Sequence, residues 1–208
     1  MQSILIANPK GGSGKSTLAT NLAGYFAWEG EQVMLGDIDR QQTSRHWLRL
    51  RPENFPEIQG WELKDREPAR PPKGTTVAVL DSPAGLHGKK LDAALKVVRR
   101  VLVPVRAGFF DMWASEDFFR QLAEEKSVRK GEVKIAVVGM CVNPRTRSAQ
   151  ELEAFLANFD LPVLTHLRET QLYVQLQPKG LTLFDLPRPR YERDYTEWQP
   201  IVNWLNQA

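Results

Sequence analysis

Cysteine is nearly absent from this chain, because Cys141 is the only one among 208 residues. A single thiol excludes an intramolecular disulfide and any metal or redox motif built from paired cysteines. Cys141 lies within the apolar run at residues 137–142. We therefore expect it to be a buried thiol on a strand.

Long apolar runs are also missing. No stretch approaches the ~20 apolar residues that a membrane-spanning helix requires. The first residues lead directly into a strand pattern and a glycine-rich loop, so we expect no cleavable signal. No internal repeat is evident. These observations predict a cytoplasmic protein.

Neither sign of charge dominates. The chain has 28 lysines and arginines against 25 aspartates and glutamates, which gives a net charge of +3 and a pI near 9.0. This mild basic excess permits contact with nucleic acid without requiring it. The length fits one domain, residues 1–208, with a sizeable core.

Short β-branched runs alternate with helical patterns along most of the chain. The predicted strands are residues 4–7, 33–35, 76–80, 101–105, 133–142 and 161–164, and the predicted helices are 15–28, 43–50, 90–98, 112–126 and 148–159. Apolar strands separated by helices predict an α/β fold with a doubly wound, mostly parallel sheet and helices on both faces. Residues 51–74 are rich in proline and charge, and predict a loop-rich insertion with an edge strand at 60–64.

The string KGGSGKST at residues 10–17 has the composition of a phosphate-binding loop, and it stands between an apolar strand and a helical pattern. Its glycines allow backbone N–H groups to turn toward phosphate oxygens, and the following helix N-terminus adds a favourable partial charge. Lys15 is expected to reach the β- and γ-phosphates, and the Ser16 hydroxyl to ligate Mg²⁺. The predicted nucleotide-binding residues of this loop are Lys10, Gly11, Gly12, Ser13, Gly14, Lys15, Ser16 and Thr17.

The loop departs from the common G-x-x-x-x-G-K-[ST] pattern, because Pro9 takes the place of the first glycine and Lys10 follows it. The complete string resembles the deviant Walker A motif of the ParA/MinD family of P-loop ATPases, and the resemblance covers nearly the whole chain. It implies a P-loop NTPase fold, ATP and Mg²⁺ as cofactors, and a homodimer that forms when ATP is bound. It also implies that Lys10 crosses the dimer interface to the partner's nucleotide and acts in catalysis together with Lys15.

Two carboxylates follow the second predicted strand. Asp37 and Asp39 resemble the family's D-x-D-P-Q segment, with Arg40 in place of the usual proline. Without that resemblance, two carboxylates so spaced would be typical of a solvated turn. The resemblance implies that Asp37 lies near the metal and that Asp39 is the catalytic residue that orients the attacking water. Positioning is enough, because phosphoryl transfer requires little covalent help from the protein.

The apolar residues 77–80 end in Asp81 and resemble a Walker B strand. Asp81 is expected to hold Mg²⁺ through water, opposite Ser16. The predicted metal residues are therefore Ser16, Asp37 and Asp81. Residues 82–85 resemble the family's second switch, in which small residues let the backbone sense the γ-phosphate. We assign no functional role to His87, which follows this segment.

Three residues in the second half of the chain are predicted at the base of the nucleotide. Asn143 ends a long predicted strand, where the family uses an asparagine or its neighbours to recognise adenine. Asp185 and Pro187 belong to a segment that resembles the one closing over the base. Asp111 is expected to be the N-cap of the helix that carries Trp113.

Basic residues gather in the last third of the chain. They serve either solubility or a patch that binds the phosphate backbone of DNA without reading its sequence. The family resemblance favours DNA, because ATP-bound ParA-like dimers bind the nucleoid non-specifically, and it implies a ParB-like or other adaptor that stimulates a slow ATPase. Such proteins position plasmids, chromosomes or other cargo. The predicted DNA-binding residues are Arg145, Arg147, Arg168, Lys179, Arg188 and Arg190.

Two alternatives remain open within the same superfamily. MinD-like members bind membranes through a basic C-terminal amphipathic helix, whereas residues 194–208 carry an apolar face without any lysine or arginine. We therefore expect this helix to dock on the domain, and membrane binding ranks second. A metabolic ATP-dependent ligase or amidase ranks third, because no substrate pocket is evident. Iron–sulfur scaffold relatives need paired cysteines, which this chain lacks.

Overall fold

The computed structural model describes residues 1–63 and 68–207. Its strands are β1 (Gln2–Ile6), β2 (Val33–Asp37), β3 (Gln59–Trp61), β4 (Val77–Asp81), β5 (Arg100–Arg106), β6 (Lys134–Met140) and β7 (Val163–Leu167). In the described residues these seven strands form one sheet in the order β3-β2-β4-β1-β5-β6-β7. Every neighbouring pair is parallel.

Helices follow most of the strands. They are α1 (Lys15–Trp28), α2 (Thr43–Leu50), α3 (Gly88–Val97), α4 (Phe109–Glu124), α5 (Lys126–Arg129), α6 (Arg147–Leu156), α7 (Leu172–Leu176) and α8 (Glu192–Asn206). Single 3-10 turns occupy Gln177–Lys179, Leu183–Asp185 and Arg188–Arg190. No helix in the described part of the chain is both long enough and apolar enough to cross a membrane.

Both faces of the sheet are covered. Side chains alternate along a strand, so Ile4 and Ile6 of β1 enter one buried cluster while Leu5 enters the other. The first cluster includes apolar residues of α1, α2 and α8, and the second includes those of α3, α4 and α6. Parallel sheets require this burial on both faces. The predicted doubly wound α/β fold is confirmed.

The predicted bounds agree with the structure for α1 and α2, and approximately for most other elements. The edge strand predicted at residues 60–64 is present as β3, which pairs with β2; Lys64 lies outside the described residues. The last strand was predicted at residues 161–164, but β7 is Val163–Leu167. Pro162 explains part of this shift, because it has no N–H to donate to a strand ladder.

Two local predictions are wrong. Cys141 is exposed rather than buried, because β6 ends at Met140 and the chain turns at Cys141 with a φ of +54°. Asp111 is not an N-cap, because α4 begins at Phe109 after Gly108. Asp111 instead lies in the first turn of α4, where a carboxylate interacts favourably with the helix dipole.

The strand order places three chemically important ends side by side. β1 lies between β4 and β5, so the connections after these strands diverge at the carboxyl edge of β1. Ligands of open α/β sheets bind at such a switch point. Ile6 of β1 and Asp37 of β2 both pair in register with Asp81 of β4. The three loops that follow these strands therefore meet at one edge.

Candidate nucleotide site

The loop between β1 and α1 has the backbone shape of a phosphate cradle. Gly12 and Gly14 have φ values of +73° and +96°, in the left-handed region that glycine adopts readily. Gly14 is also the N-cap of α1, and a Cβ there would lie 2.6 Å from the Met140 methyl carbon. The Met140 methyl ends a flexible side chain, so it is the backbone conformation that favours glycine at this position. The free N–H groups of α1 point toward the loop.

Lys15 is buried within this loop. Its ammonium donates to the Lys10 carbonyl at 2.8 Å and lies 3.4 Å from the Ser13 hydroxyl. Burial lowers the pKa of Lys15, and the charges of Asp81 and Asp39 oppose that shift. The Lys15 ammonium is enclosed by the loop backbone, where it can bind a phosphate oxygen as a point charge.

Asn8 is a site residue that sequence analysis missed. It is buried, and its carboxamide oxygen accepts the Lys10 N–H at 2.7 Å. Its amide donates to the Pro104 carbonyl at 2.9 Å and to the Ser115 hydroxyl at 3.1 Å. Asn8 thus fixes the entrance of the loop to β5 and α4. A polar residue directly after a buried strand was the available signal.

Lys10 lies at the outer edge of the loop. Its ammonium is 6.0 Å from the centroid of the Phe110 ring on α4, which is the outer limit of a cation–π contact. In the described residues Lys10 forms no ion pair. Its charge therefore remains free for a ligand outside its own loop.

Asp81 has the environment of a metal-site carboxylate. One oxygen accepts the Ser44 hydroxyl at 2.7 Å, whereas Oδ1 is buried and has no partner among the described residues. Burial raises the pKa of Asp81 to about 6, with the Asp37 charge adding to the shift and the Ser44 hydrogen bond and the nearby Ser16 hydroxyl opposing it. Ser44 is a second residue that sequence analysis missed.

Asp37 has a different environment. One oxygen accepts the Asp39 N–H at 2.9 Å, and the other accepts the Ser44 N–H at 2.9 Å at the start of α2. Burial raises its pKa, although these backbone hydrogen bonds lower it. Asp37 therefore organises the turn into α2, and its role near the metal stays a prediction.

Asp39 faces a cleft with a volume of about 640 Å³. The lining residues come from the phosphate loop and from two segments, which we call the first switch segment (residues 37–41) and the second switch segment (residues 82–85): Gly11, Asp39, Arg40, Gln41, Pro83 and Ala84. The role of Asp39 toward an attacking water stays a prediction.

The second switch segment is tied to the loop by its backbone. The Gly85 N–H donates to the Pro9 carbonyl at 3.1 Å, and the Ser82 hydroxyl donates to the Ile6 carbonyl at 2.8 Å. Gly85 has a φ of +74°. A change in the phosphate loop can therefore be transmitted directly to this segment.

The donor set fits Mg²⁺ with a nucleotide. No group of three or more histidine, cysteine, aspartate or glutamate side chains converges in the described residues. Mg²⁺ does not need one, because it usually keeps several waters and takes one or two carboxylates together with substrate phosphates. Ser16 and the unpartnered oxygen of Asp81 would hold the ion, and Lys15 and the loop N–H groups would hold the phosphates of ATP.

The residues predicted at the base have mixed outcomes. Asn143 is exposed, with its oxygen accepting the Arg145 N–H at 3.1 Å, and its amide N–H groups have no hydrogen-bond acceptor among the residues that the structure describes. Pro187 is exposed and precedes the turn at Arg188–Arg190. Roles for Asn143 and Pro187 at adenine stay predictions.

The Asp185 carboxylate, in contrast, is not accessible to a nucleotide. Its side chain is fully buried, and its oxygens accept from Arg51 at 3.0 Å, from the Trp28 indole at 2.8 Å and from the Thr182 N–H at 2.7 Å. Burial raises the pKa of Asp185, but these donors, Arg51 first, bring it below its ordinary value. This corrects the predicted contact with the base: the side chain fastens α1 to the last third of the chain.

The predicted DNA-binding residues also divide into two groups. Arg147, Arg168 and Arg188 are held in ion pairs with Glu151, Asp194 and Glu192. Arg168 is bound to the buried Asp194 at 2.9 Å and so anchors α8, contrary to its predicted role on the surface. The exposed residues without an ion pair among the described residues are Arg145, Lys179 and Arg190.

The sheet order, the cradle and the buried lysine together define a P-loop nucleotide-binding protein. Residues 4–183 match the family described as the CobQ/CobB/MinD/ParA nucleotide binding domain, and the chain belongs to this family. It is 31% identical over 189 residues to the chromosome-partitioning ATPase Soj of Thermus thermophilus, a match that covers 74% of each chain. It is 24% identical to the maintenance of carboxysome distribution protein A of Halothiobacillus neapolitanus, covering 88% of this chain and 87% of that protein.

Solved structures agree at the level of the fold. The MinD cell division protein of Aquifex aeolicus superimposes with a TM-score of 0.73 at 14% identity, covering 100% of this chain and 98% of that one. The predicted P-loop NTPase fold is thus confirmed. Membership of the family and the likeness to Soj make the chain a P-loop ATPase.

Proposed function

We propose that this ATPase forms a homodimer with ATP, binds nucleoid DNA without sequence preference, and positions cargo together with an adaptor protein. The observation that carries this proposal is Lys10, whose backbone N–H is held at the edge of the phosphate loop by Asn8 and whose ammonium forms no ion pair in the described residues. Lys15 occupies the interior of the loop, so the Lys10 ammonium at its edge can serve a phosphate outside it. The names of the relatives, a partitioning ATPase and a carboxysome distribution protein, support positioning as the output.

Exposed aromatic residues beside Lys10 support a second copy as the partner. Phe109, Phe110 and Trp113 on the first turns of α4 are 72%, 63% and 62% exposed. Exposed aromatic side chains that cluster on one surface mark protein interfaces more often than free surface. Because Phe110 lies next to Lys10, burying this surface would carry Lys10 into the interface.

The free charges of the last third support contact with DNA. Arg145, Lys179 and Arg190 are exposed and without ion pairs in the described part of the chain. A dimer presents two copies of this set, and non-specific binding strengthens with each phosphate that is neutralised. Association with the nucleoid would follow from that contact.

Slow hydrolysis is consistent with the site. Asp39 is the residue proposed to orient water; its N–H donates to the Asp37 carboxylate, its carboxylate accepts the Gln41 N–H, and its carbonyl accepts from the Gln42 side chain. Water positioning by one carboxylate, without an added cation, gives slow turnover in nucleotide switches. An adaptor that completes this cleft would raise the rate and end the life of the dimer.

The membrane alternative is weakened by the C-terminal helix. Trp198, Ile201 and Leu205 of α8 are fully buried against the sheet, as predicted, so the apolar face is not accessible to lipid. The metabolic alternative is kept by the family description, which names CobQ and CobB beside MinD and ParA. The cobyrinic acid a,c-diamide synthase of Mycobacterium smegmatis, at 18% identity and a TM-score of 0.63, adds a likeness of fold alone.

The deciding experiment measures oligomeric state and DNA binding in the same samples. Light scattering and DNA binding would be followed with ATP analogue, with ADP and without nucleotide. We expect a dimer and salt-sensitive DNA binding only with the ATP analogue. A dimer that binds anionic vesicles instead of DNA would favour the membrane alternative, and a monomer in all three states would reject the proposal.

A further inference from the structure

A groove distinct from the phosphate-binding loop opens between the two switch segments and α3, with a volume of about 710 Å³. We call it the switch groove. Its floor is apolar and includes Ile38, Leu86 and Ala93, of which Ile38 and Leu86 are only 8% and 2% exposed. Its rim is basic and includes Arg40, Lys89 and Lys90.

The three rim cations have no carboxylate partner among residues 1–63 and 68–207. Arg40, Lys89 and Lys90 are exposed, and in the described residues none of them forms an ion pair, whereas Arg147 and Arg188 do. Like charges gathered at the mouth of a concave surface produce a field that attracts an acidic ligand. The histidine beside them, His87, also lines the groove.

The switch groove is continuous with the nucleotide cleft. Arg40, Pro83 and Ala84 line both the groove and the cleft that contains Gly11 and Asp39. A movement of either switch segment on binding a γ-phosphate would therefore change the groove. The affinity of the groove for an occupant would then depend on the nucleotide state.

We propose that the switch groove binds an acidic segment of the adaptor protein that also carries apolar side chains; this rests on the proposed function. An apolar floor inside a basic rim matches leucine-like anchors flanked by carboxylates. Duplex DNA would satisfy the rim but not the floor, because its backbone offers phosphates and no apolar side chains. A segment seated here would also contact Arg40, next to the water-orienting Asp39.

The test uses a short fluorescein-labelled peptide of glutamate and leucine, followed by fluorescence anisotropy on the whole chain. Matched probes are a peptide of lysine and leucine, a peptide of glutamate and serine, and a DNA duplex of similar length. We expect the glutamate and leucine peptide to bind more tightly than either other peptide. Its affinity should differ at least ~3-fold between the ADP and ATP-analogue forms, because the groove shares its wall with the cleft.

Charge-reversal variants distinguish the effect of the rim lysines on peptide binding from the effect of net charge. Lys89→Glu with Lys90→Glu should weaken peptide binding about 10-fold or more, because rim attraction becomes repulsion. The matched control, Lys126→Glu with Arg129→Glu on α5, makes the same charge change elsewhere and should alter binding less than ~2-fold. Ala93→Gln narrows the floor without changing the charge and should also weaken peptide binding.

The outcomes distinguish this proposal from the proposed function. The groove proposal is rejected if the peptide does not bind, or if the two charge-reversed pairs lose equal peptide affinity. It is also rejected if the rim variant loses DNA binding but not peptide binding. ATP binding and ATP-dependent dimerisation are measured on the same samples. If both are normal and the peptide does not bind, only the groove proposal fails; if both are absent while the peptide binds, only the proposed function fails.

Discussion

Ser44 donates its hydroxyl to the Asp81 carboxylate at 2.7 Å, and so joins the start of α2 to the end of β4 at the predicted metal site. Ser44 is fully buried, and its N–H is at the same time bound by Asp37. One serine thus holds both carboxylates of the predicted metal site. The other Asp81 oxygen has no partner in the described residues, which leaves it for a cation or a water bound to one.

This arrangement predicts a stability that depends on pH. Burial raises the pKa of Asp81 from 3.8 to about 6, so the folded state favours the protonated acid. The folded state is more stable with Asp81 protonated than with Asp81 charged. This extra stability of the fold is complete below the ordinary pKa of 3.8 and is lost as the pH rises through about 6. Asp81→Asn should remove this loss and raise the free energy of unfolding of the ligand-free protein at neutral pH by ~1–3 kcal/mol, while Mg²⁺-dependent ATP binding falls.

Urea unfolding at several pH values measures that effect. Asp92→Asn provides the control, because Asp92 is exposed on α3 and pairs only with Lys96 in the described residues. Its unfolding free energy should follow that of the unsubstituted chain. If Asp81→Asn is less stable than the unsubstituted chain at neutral pH, the cost assigned to burying this charge is wrong.

Substitution of the two loop lysines should have different effects, one on ATP affinity and the other on dimerisation. Lys15→Ala removes the buried ammonium at the cradle and should lower ATP affinity at least ~10-fold, since the charge-assisted hydrogen bond to phosphate disappears. Lys10→Ala should retain most ATP binding by the monomer and yet not dimerise with an ATP analogue. Calorimetry and light scattering measure the two quantities, with the exposed Lys73→Ala as a control. A normal ATP dimer from Lys10→Ala would reject the role in trans.

Asp39→Ala should separate binding from hydrolysis. The Asp39 side chain lies in the cleft and caps the Gln41 N–H at 3.0 Å, whereas the Lys15 ammonium is held by the Lys10 carbonyl. The variant should therefore bind ATP and form a longer-lived dimer, while turnover falls ~100-fold or more, the usual size of the effect of removing an acid–base or water-positioning group. Single-turnover hydrolysis tests this; an unchanged rate would remove Asp39 from the chemistry.

Sequence analysis succeeded where one local pattern decides the structure. The loop and its following helix are fixed by the glycines and Lys15, so the bounds of α1 were predicted correctly. It failed where a side chain forms its hydrogen bond or ion pair with a residue far away in the chain. Asp185 meets Arg51 across 134 residues, and Asp81 meets Ser44 across 37. No local spacing carries such pairings, whereas a polar residue after a buried strand, as at Asn8, was a signal that could have been used.

The buried pair of Asp185 and Arg51 gives a prediction about stability rather than nucleotide affinity. Both side chains are nearly inaccessible, at 0% and 5% exposure. Asp185→Ala should lower the free energy of unfolding by ~3–5 kcal/mol, because it leaves a buried guanidinium unpaired. Asp185→Leu combined with Arg51→Met should recover part of this stability. Thermal unfolding measures both, and an Asp185→Ala protein of normal stability but weakened ATP binding would restore the predicted contact with the base.

The last prediction concerns which arginines and lysines bind DNA. A free cation can neutralise a phosphate directly, whereas a paired one must first release its carboxylate. Lys179→Ala with Arg190→Ala removes two free cations, and Arg147→Ala with Arg188→Ala removes two that pair with Glu151 and Glu192. With an ATP analogue, the first pair should reduce the slope of log affinity against log salt by about 0.9 for each phosphate that a protomer no longer neutralises. The second pair is a control matched in charge and should reduce the slope less. The effect of each pair should be the same on every DNA sequence, and neither pair should change ATP binding. A larger effect from the second pair would mean that the ion pairs open on DNA and that the free residues do not form the DNA-binding surface.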